Sequence, residues 1–221
     1  MIEAILKYIS EHRFFSLAVY FSVFMLLIVA FVELVEEVFE GDTLFFDEAI
    51  LNGINHFSSP FLDTFFVVIT QLGGVFGSIA LTAILLIILL RRKMYQKALI
   101  VGATVAGAAL LNVILKLVFE RTRPDLWEQL VIETSFSFPS GHSMITAALG
   151  LSLIFICWNT RYRWLAVVLG SSFIIVIGFS RLYLGVHYPT DVLAGWVVSA
   201  AWLSTVVTIV NVNILRKNIA K

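Results

Sequence analysis

The chain has 221 residues, of which 60% are hydrophobic and only 14% are charged, and its formal net charge is zero. Soluble domains carry about a quarter charged residues, so this composition excludes an ordinary soluble protein and favours one embedded in a lipid bilayer. A neutral chain also lacks the basic surface that nucleic acid requires, so nucleic acid is not an expected partner. The length fits a single domain, residues 1–221.

Six apolar runs follow one another along the chain, each close to the roughly 20 residues that a spanning helix needs. They cover Phe14–Val35, Gly73–Leu90, Ala98–Phe119, Gly141–Trp158, Trp164–Phe179 and Val192–Leu215. The expected fold is therefore all-α, a bundle of six transmembrane helices. Because no small-residue cleavage site follows the first run, we interpret that run as a membrane anchor and not as a signal peptide.

Between the first two runs, apolar side chains recur every three or four residues, at Phe46, Ile50, Ile54 and Phe57. This period is typical of an amphipathic helix, which we expect to lie in the outer interface of the membrane. A structured loop that packs against the spans explains the same spacing about as well. The sequence leaves these two interpretations open.

The basic residues predict the orientation of the bundle. Eleven of the 15 basic residues fall near the termini or in the loops after the second and fourth runs: Lys7, Arg13, Arg91, Arg92, Lys93, Lys97, Arg161, Arg163, Arg216, Lys217 and Lys221. Since positive charge stays cytoplasmic, both termini are expected in the cytoplasm of a cell-membrane protein. The remaining loops are expected on the extracytoplasmic side.

The first outer segment that suggests chemistry is Lys116-Leu-Val-Phe-Glu-Arg-Thr-Arg123-Pro124, at the end of the third run. Lys116 and Arg123 could converge on one anion, and arginine can bind phosphate through two parallel hydrogen bonds. Alone, the pattern is weak, because lysine and arginine often extend to the membrane surface without binding a ligand.

The second segment, Ser137-Phe-Pro-Ser-Gly-His-Ser143, opens the fourth run. Ser140 is a favourable N-cap, and a proline suits a helix start. The free backbone N–H groups of such an end bind phosphate readily, and Gly141 allows the backbone to approach closely. His142 would stand in the first turn, beside a bound anion. A plain capped helix would explain the proline and the serine but would require neither the glycine nor the histidine.

The third segment begins with Ser180-Arg181, continues to His187 and Asp191, and joins the last two runs on the same outer side. Asp191 follows His187 by four residues, so a helical turn would place both on one face. A carboxylate that accepts one imidazole N–H leaves the other nitrogen nucleophilic. A His–Asp pair that only stabilises a loop would have the same spacing.

Together the segments bring three cations, two histidines, one carboxylate and a helix N-terminus to one predicted side of the membrane. This set favours phosphoryl transfer, in which catalysis consists mostly of positioning and charge stabilisation. No acids or cysteines stand at the spacing of metal ligands, so neither a metal nor another cofactor is expected. The residues alone do not decide which histidine attacks, although the pairing with Asp191 favours His187.

The three motifs resemble those of the type 2 phosphatidate phosphatase family. The family pattern is Lys, six residues, Arg-Pro; then Pro-Ser-Gly-His; then Ser-Arg, five residues, His, three residues, Asp; and every position is matched here. The resemblance is strongest to small bacterial phosphatidylglycerophosphate and undecaprenyl-diphosphate phosphatases, and the membrane members of the family have six spans. The resemblance implies a metal-independent integral membrane phosphatase that acts on a lipid phosphate or diphosphate.

The resemblance also implies a role for each motif residue. His187 would be the nucleophile and form a phosphohistidine, Asp191 would orient and activate it, and His142 would protonate the leaving alkoxide. The phosphoryl oxygens would be held by the remaining motif residues: Lys116, Arg123, Ser140, Gly141 and Arg181. The substrate would be phosphatidylglycerophosphate, phosphatidate or an isoprenyl diphosphate, presented on the extracytoplasmic face.

Three other functions remain open. A lipid phosphotransferase would use the same site with a different acceptor. A transporter of anionic lipid would also carry charges within its spans, but near the membrane midplane, whereas here the charges gather at one end of the runs. A non-catalytic binder of lipid phosphate is disfavoured by the complete set of motifs. The sequence fixes neither the lipid nor the oligomeric state.

Overall fold

The computed structural model describes residues 2–41 and 43–219, with side chains described for 18, 19, 21–41 and 43–212. That part of the chain forms eight helices: α1 (Ile2–Glu40), α2 (Leu44–Asn55), α3 (Pro60–Thr70), α4 (Val75–Arg91), α5 (Tyr95–Phe119), α6 (Gly141–Cys157), α7 (Arg163–Tyr183) and α8 (Pro189–Ile219). Over the same residues there is no strand. The expected all-α fold is confirmed.

Within the part of the chain that the structure describes, three helices are long and apolar enough to cross a membrane: α5, α7 and the Pro189–Val212 part of α8. α3 and α4 could form a fourth span together, with a bend of 52° at the break between them. α6 is apolar but has only 17 residues. The chain is therefore a multi-pass membrane protein, while the count of six spans stays a prediction.

Parts of the first and last predicted spans lack described side chains. Phe14–Val35 falls within α1 and Val192–Leu215 within α8, but the side chains of residues 14–17, 20 and 213–215 lie outside the described part. The side chains of five of the basic residues that predict the orientation also lie outside the described part: Lys7, Arg13, Arg216, Lys217 and Lys221. The orientation therefore stays a prediction.

α3 is a helix that the apolar runs do not predict. The hydroxyl of Ser59 accepts a hydrogen bond from the backbone N of Leu62 at 3.4 Å, and Pro60 occupies the first position of the helix. α3 ends at Thr70, and the link 71–74 then turns the chain into α4. The end of α3 packs against α7, because the hydroxyl of Ser180 donates to Oγ1 of Thr70 at 3.1 Å.

α2 buries one of its two acids, Asp47, and exposes its aromatic rings, which is the opposite of a helix in a soluble protein. Asp47 is 1% exposed, whereas Phe45 and Phe46 are 77% and 66% exposed. Exposed rings of this kind are more stable in contact with lipid than with water. The predicted helix is present at this place in the chain, and its location in the membrane interface stays a prediction.

The centre of the bundle is α6, which packs against α5, α7 and α8. At its crossing with α7, a Cβ atom added to Gly150 would lie 2.9 Å from the carbonyl oxygen of Gly170. Small residues at this contact allow the two backbones to approach closely. The close contact fixes the start of α6 relative to the end of α7, where the motif residues lie.

Candidate active site

The three motif segments meet at one end of the bundle. The helix ends at this place carry motif residues, among them Lys116 in the last turn of α5, Ser140 at the N-cap of α6, Arg181 in the last turn of α7 and Asp191 in the first turn of α8. The loop between α5 and α6 and the turn between α7 and α8 contribute Arg123 and His187. The structure thus brings the predicted site residues together.

His187 lies between Asp191 and Arg123. Its Nδ1 is 3.2 Å from Oδ2 of Asp191, and its Nε2 is 3.2 Å from Nη1 of Arg123. A guanidinium group carries only donors, so Nε2 is the acceptor in this contact and the ring proton is on Nδ1. Nδ1 can then donate to Asp191, and the lone pair of Nε2 faces the cationic side of the site. A nucleophilic histidine requires this arrangement.

Burial controls the protonation of His187, which is 1% exposed. Burial lowers the pKa of His187 to about 4, although the hydrogen bond and the charge of Asp191 act in the opposite direction. The imidazole is therefore neutral near neutral pH, and its lone pair is lost only in acid, as the pH falls through this value.

Asp191 is fully buried and accepts hydrogen bonds on both carboxylate oxygens. Its Oδ2 accepts from the hydroxyl of Ser137 and from the backbone N of Tyr188 at 2.9 Å, in addition to His187. Its Oδ1 accepts from Nη1 of Arg121 at 2.7 Å. With donors on both oxygens, the carboxylate has little freedom to rotate. Ser137 and Arg121 are site residues to which the motif spacing assigns no role.

Arg181 presents a buried guanidinium group, since its side chain is only 1% exposed. Its Nη1 donates to Oγ1 of Thr70 at 2.9 Å, and its Nη2 donates to the carboxylate of Glu133. Among the residues that the structure describes, none accepts a hydrogen bond from its Nε. A buried donor of this kind is costly unless a ligand uses it, which suits a phosphate-binding group.

Glu133 contacts two of the predicted phosphate-binding cations at once. Its carboxylate binds Arg181, and its Oε2 lies 3.7 Å from Nη2 of Arg123. Although burial alone would raise the pKa of Glu133, Arg181 and Arg123 lower it below its ordinary value. The two guanidinium groups can therefore share one anion. The sequence does not single out Glu133, because it lies outside the motifs among several acids of the outer loops.

Lys116 and Arg123 are held by the same short segment of the loop between α5 and α6. Nζ of Lys116 donates to Oγ of Ser135 at 2.8 Å and to the carbonyl oxygen of Phe136 at 2.6 Å. Arg123 donates from Nε to the carbonyl oxygen of Ser135 at 2.8 Å and from Nη1 to that of Val186 at 2.6 Å. The predicted convergence of these two cations is present.

The predicted helix start at the second segment is also present. Oγ of Ser140 accepts from the backbone N of Ser143 at 3.5 Å and from its hydroxyl at 3.0 Å. There is also a steric reason for a glycine at position 141, because a Cβ atom there would lie 2.9 Å from Oδ1 of Asn112. Nδ2 of Asn112 donates to the carbonyl oxygen of Pro139 at 2.9 Å. Asn112 therefore holds the N-terminal end of α6, and the glycine leaves room for it.

His142, in the first turn of α6, is half-buried and faces the link between α3 and α4. A Cβ atom built on Gly74 would lie 3.5 Å from its Nε2, within ordinary van der Waals contact. Its ring also lies within electrostatic range of Arg181, His187 and Lys116. His142 therefore borders the same charged site as His187.

Arg121 and Asp47 form a second layer of charge behind Asp191. Nη1 of Arg121 lies 2.7 Å from Oδ1 of Asp191, and its Nη2 lies 2.9 Å from Oδ2 of Asp47. Asp47 also accepts from the backbone N of Thr190 at 3.1 Å and from its hydroxyl at 2.6 Å. In the sequence, 74 residues separate Asp47 from Arg121 and 143 separate it from Thr190, so no local pattern could relate them.

The motif residues of this site lie in a part of the chain that matches a known protein family. A model of the PAP2 superfamily matches residues 97–215, more than half of the chain. The chain belongs to the PAP2 superfamily. The matched range contains all three motifs, whereas α1 to α4, and with them Asp47, lie outside it.

Relatives within the PAP2 superfamily cover most of the chain. Phosphatidylglycerophosphatase B of Bacillus subtilis (strain 168) is 34% identical over 158 residues, which are 68% of this chain and 76% of that protein. An undecaprenyl-diphosphatase of Sulfolobus acidocaldarius is 28% identical over 168 residues, which are 72% of this chain and 75% of that protein.

A solved PAP2 structure has the same fold. The crystal structure of a transmembrane PAP2 type phosphatidylglycerolphosphate phosphatase from Bacillus subtilis aligns with a TM-score of 0.75 at 30% sequence identity. The alignment covers 83% of this chain and 93% of that chain. The chain is thus a membrane lipid phosphate phosphatase of the PAP2 type, a phosphoric ester hydrolase, and the expected family and enzyme class are confirmed.

Proposed function

We propose that this PAP2 protein hydrolyses the terminal phosphate of a membrane lipid through a phosphohistidine on His187, at the extracytoplasmic face of the cell membrane. The observation that carries the proposal is the setting of the His187 ring. Nδ1 is directed to Asp191, while Nε2 lies beside the guanidinium group of Arg123, where a bound phosphoryl group would be.

In the first step, the lone pair of Nε2 of His187 attacks phosphorus, and the bond between phosphorus and the lipid oxygen breaks. His142 donates a proton to the departing oxygen, so the lipid leaves as an alcohol, or as a monophosphate if the substrate is a diphosphate. The negative phosphate offsets the cations around His142 and favours the protonated form that this step needs. Asp191 stabilises the positive charge that the His187 ring gains.

In the second step, water attacks the phosphorus of the phosphohistidine. His142, now neutral, takes a proton from this water, the bond between phosphorus and nitrogen breaks, and inorganic phosphate leaves. His187 returns to its neutral form, with its proton still on Nδ1 and donated to Asp191 in a hydrogen bond. Both steps use side chains of this chain only, and no metal is required to balance them.

The phosphoryl oxygens bind to Lys116, Arg123 and Arg181, with help from Ser140 and the backbone N–H of Gly141 at the start of α6. Two contacts support this assignment. The carboxylate of Glu133 already bridges Arg181 and Arg123, so an anion fits between them. In addition, Nε of Arg181 has no acceptor among the described residues.

The lipid reaches the site from the side of the bundle. A groove of about 480 Å³ is lined both by Lys116 and Arg123 and by the apolar side chains of Val113 and Leu117 of α5. Leu117 is 65% exposed, as expected of a residue in contact with acyl chains. Such a groove lets the headgroup enter the charged site while the chains stay in the outer leaflet.

The proposed activity predicts metal-independent release of phosphate from lipid. The purified protein should be assayed on phosphatidylglycerophosphate, phosphatidate and undecaprenyl diphosphate, the lipids that the names of the relatives and the family suggest. We expect phosphate release from at least one of them, at the same rate with and without EDTA, because three cations hold the phosphate. Vanadate should inhibit, since it mimics a five-coordinate phosphoryl group.

Absence of release from all three lipids would refute the proposed function. Loss of activity in EDTA that magnesium restores would instead refute the metal-independent mechanism, while leaving the enzyme class intact.

The proposed orientation predicts which loops can be labelled from outside the cell. The best positions are Ile132, which is 93% exposed in the loop between α5 and α6, and Tyr95, which is 63% exposed at the start of α5. In a background with Cys157 replaced by serine, we expect an impermeant maleimide to label Ile132→Cys in intact cells. Tyr95→Cys should react only after the cells are lysed, and the reverse pattern would mean that the site faces the cytoplasm.

A further inference from the structure

The hydrogen bonds around Asp191 extend beyond the PAP2 motifs to α2. We infer that Arg121 and Asp47 are positioning residues of the reaction: Arg121 fixes the orientation of Asp191, and Asp47 offsets the charge of Arg121, so that Asp191 keeps its full effect on His187. This inference rests on the proposed function, because it assigns these two residues to the same His187 chemistry.

The two carboxylate oxygens of Asp191 have different partners and different roles. Oδ2 faces His187 at 3.2 Å, while Oδ1 accepts the 2.7 Å hydrogen bond from Arg121. Holding Oδ1 prevents the carboxylate from rotating Oδ2 away from the imidazole. A carboxylate that directs a histidine depends on such an orientation, since it must accept the Nδ1 proton in line.

Without Asp47, the positive charge of Arg121 beside Asp191 would weaken the reaction. Asp191 and Arg121 together carry no net charge, so the pair would give little support to the positive ring that His187 becomes on phosphorylation. Asp47 restores one negative charge to the cluster through its contact with Arg121 at 2.9 Å. All three side chains are at most 11% exposed, so water and salt screen these charges little.

Asp47 is held in place by Thr190. It accepts two hydrogen bonds from Thr190, in the first turn of α8, where the helix dipole favours a negative charge. Arg121 in turn stacks on the ring of Tyr188, 4.1 Å from the ring centre. These contacts therefore connect α2, with its exposed aromatic rings, to the turn that carries His187.

The decisive variant is Asp47→Asn, which keeps the shape of the side chain and removes its charge. With p-nitrophenyl phosphate as substrate, we expect kcat to fall by about 10-fold to 100-fold, the loss typical when a partner of an essential group is removed. The inhibition constant of inorganic phosphate should stay within about twofold, because Asp47 does not touch the phosphate-binding cations. A purely structural role would change both quantities together.

A second substitution tests the charge argument directly. Asp47→Asn combined with Arg121→Met returns the net charge around Asp191 to that of the aspartate alone, so kcat should recover part of the loss.

The matched control is Asp63→Asn. Asp63 also accepts a hydrogen bond between helices, from the hydroxyl of Tyr183 at 2.6 Å, but this contact does not lead to Asp191. The control should keep the wild-type kcat.

The inference is overturned if Asp47→Asn keeps the wild-type kcat, or if kcat and phosphate affinity fall together. If Asp47→Asn does not accumulate, Arg121→Lys decides, because lysine keeps the charge but cannot hold Asp191 and Asp47 with two nitrogens. An unchanged kcat in Arg121→Lys would also overturn it. Wild-type protein that releases no phosphate from any substrate would refute the proposed function itself, which separates the two failures.

Discussion

His187→Ala should be inactive on every phosphate ester, whereas His142→Ala should lose most of its activity only on esters with a poor leaving group. Loss of His187 removes the atom that bonds to phosphorus, so no choice of substrate can compensate. Loss of His142 removes the proton that the departing oxygen needs. A lipid alkoxide cannot leave without that proton, but p-nitrophenolate leaves well as an anion.

The measurement is the ratio of activity on lipid phosphate to activity on p-nitrophenyl phosphate for each variant. We expect His142→Ala to lose about 10²–10⁴-fold on lipid, the range of general acid catalysis, and distinctly less on the phenyl ester. His56→Ala is the control, since His56 is exposed at the end of α2 and belongs to none of the three motifs. It should match the wild type on both substrates.

Two outcomes would contradict these roles. An equal loss on both substrates for His142→Ala would show that His142 holds phosphate and does not protonate the leaving group. Residual phenyl ester activity in His187→Ala, together with none in His142→Ala, would mean that the two roles are exchanged. In that case the pairing of His187 with Asp191 would have only a structural role.

The parts of the site that the sequence predicts are those that local geometry determines. Asp191 follows His187 by only four residues, and the short turn that leads into α8 places the carboxylate beside the ring, at 3.2 Å, although His187 itself lies just before the helix. Ser140 likewise precedes an apolar run and caps the helix that follows it. In both cases the interaction lies within a few residues, so the tertiary fold adds little to it.

The parts that the sequence does not predict depend on how distant segments pack. Asp47, Arg121 and Glu133 look like ordinary outer-loop charges until α2 and the loop between α5 and α6 are brought against α7 and α8. α3 is missed for a different reason, because its 11 residues are too few for a span and the link 71–74 separates them from α4. Its end nevertheless supplies Thr70, a partner of Arg181.

Arg181→Lys should reduce kcat on p-nitrophenyl phosphate by about 10²–10³-fold, the loss seen when one fixed donor to a developing charge is removed. The guanidinium group of Arg181 holds Thr70 with Nη1 and Glu133 with Nη2, which leaves Nε for a phosphoryl oxygen. An ammonium group keeps the charge but has no rigid fork, so it cannot hold all three acceptors in these directions. The phosphate would therefore bind more weakly and in a less defined position.

This variant should differ from Asp47→Asn in one measurable respect. Arg181→Lys should also weaken inhibition by inorganic phosphate, because Arg181 contacts the phosphate itself, whereas Asp47 acts only through Arg121 and Asp191. Arg161→Lys, the same substitution at an exposed arginine in the loop between α6 and α7, should leave both quantities unchanged. If Arg181→Lys keeps its affinity for phosphate, then the guanidinium group serves only to hold Glu133 and Thr70, and Lys116 and Arg123 must carry the phosphate without it.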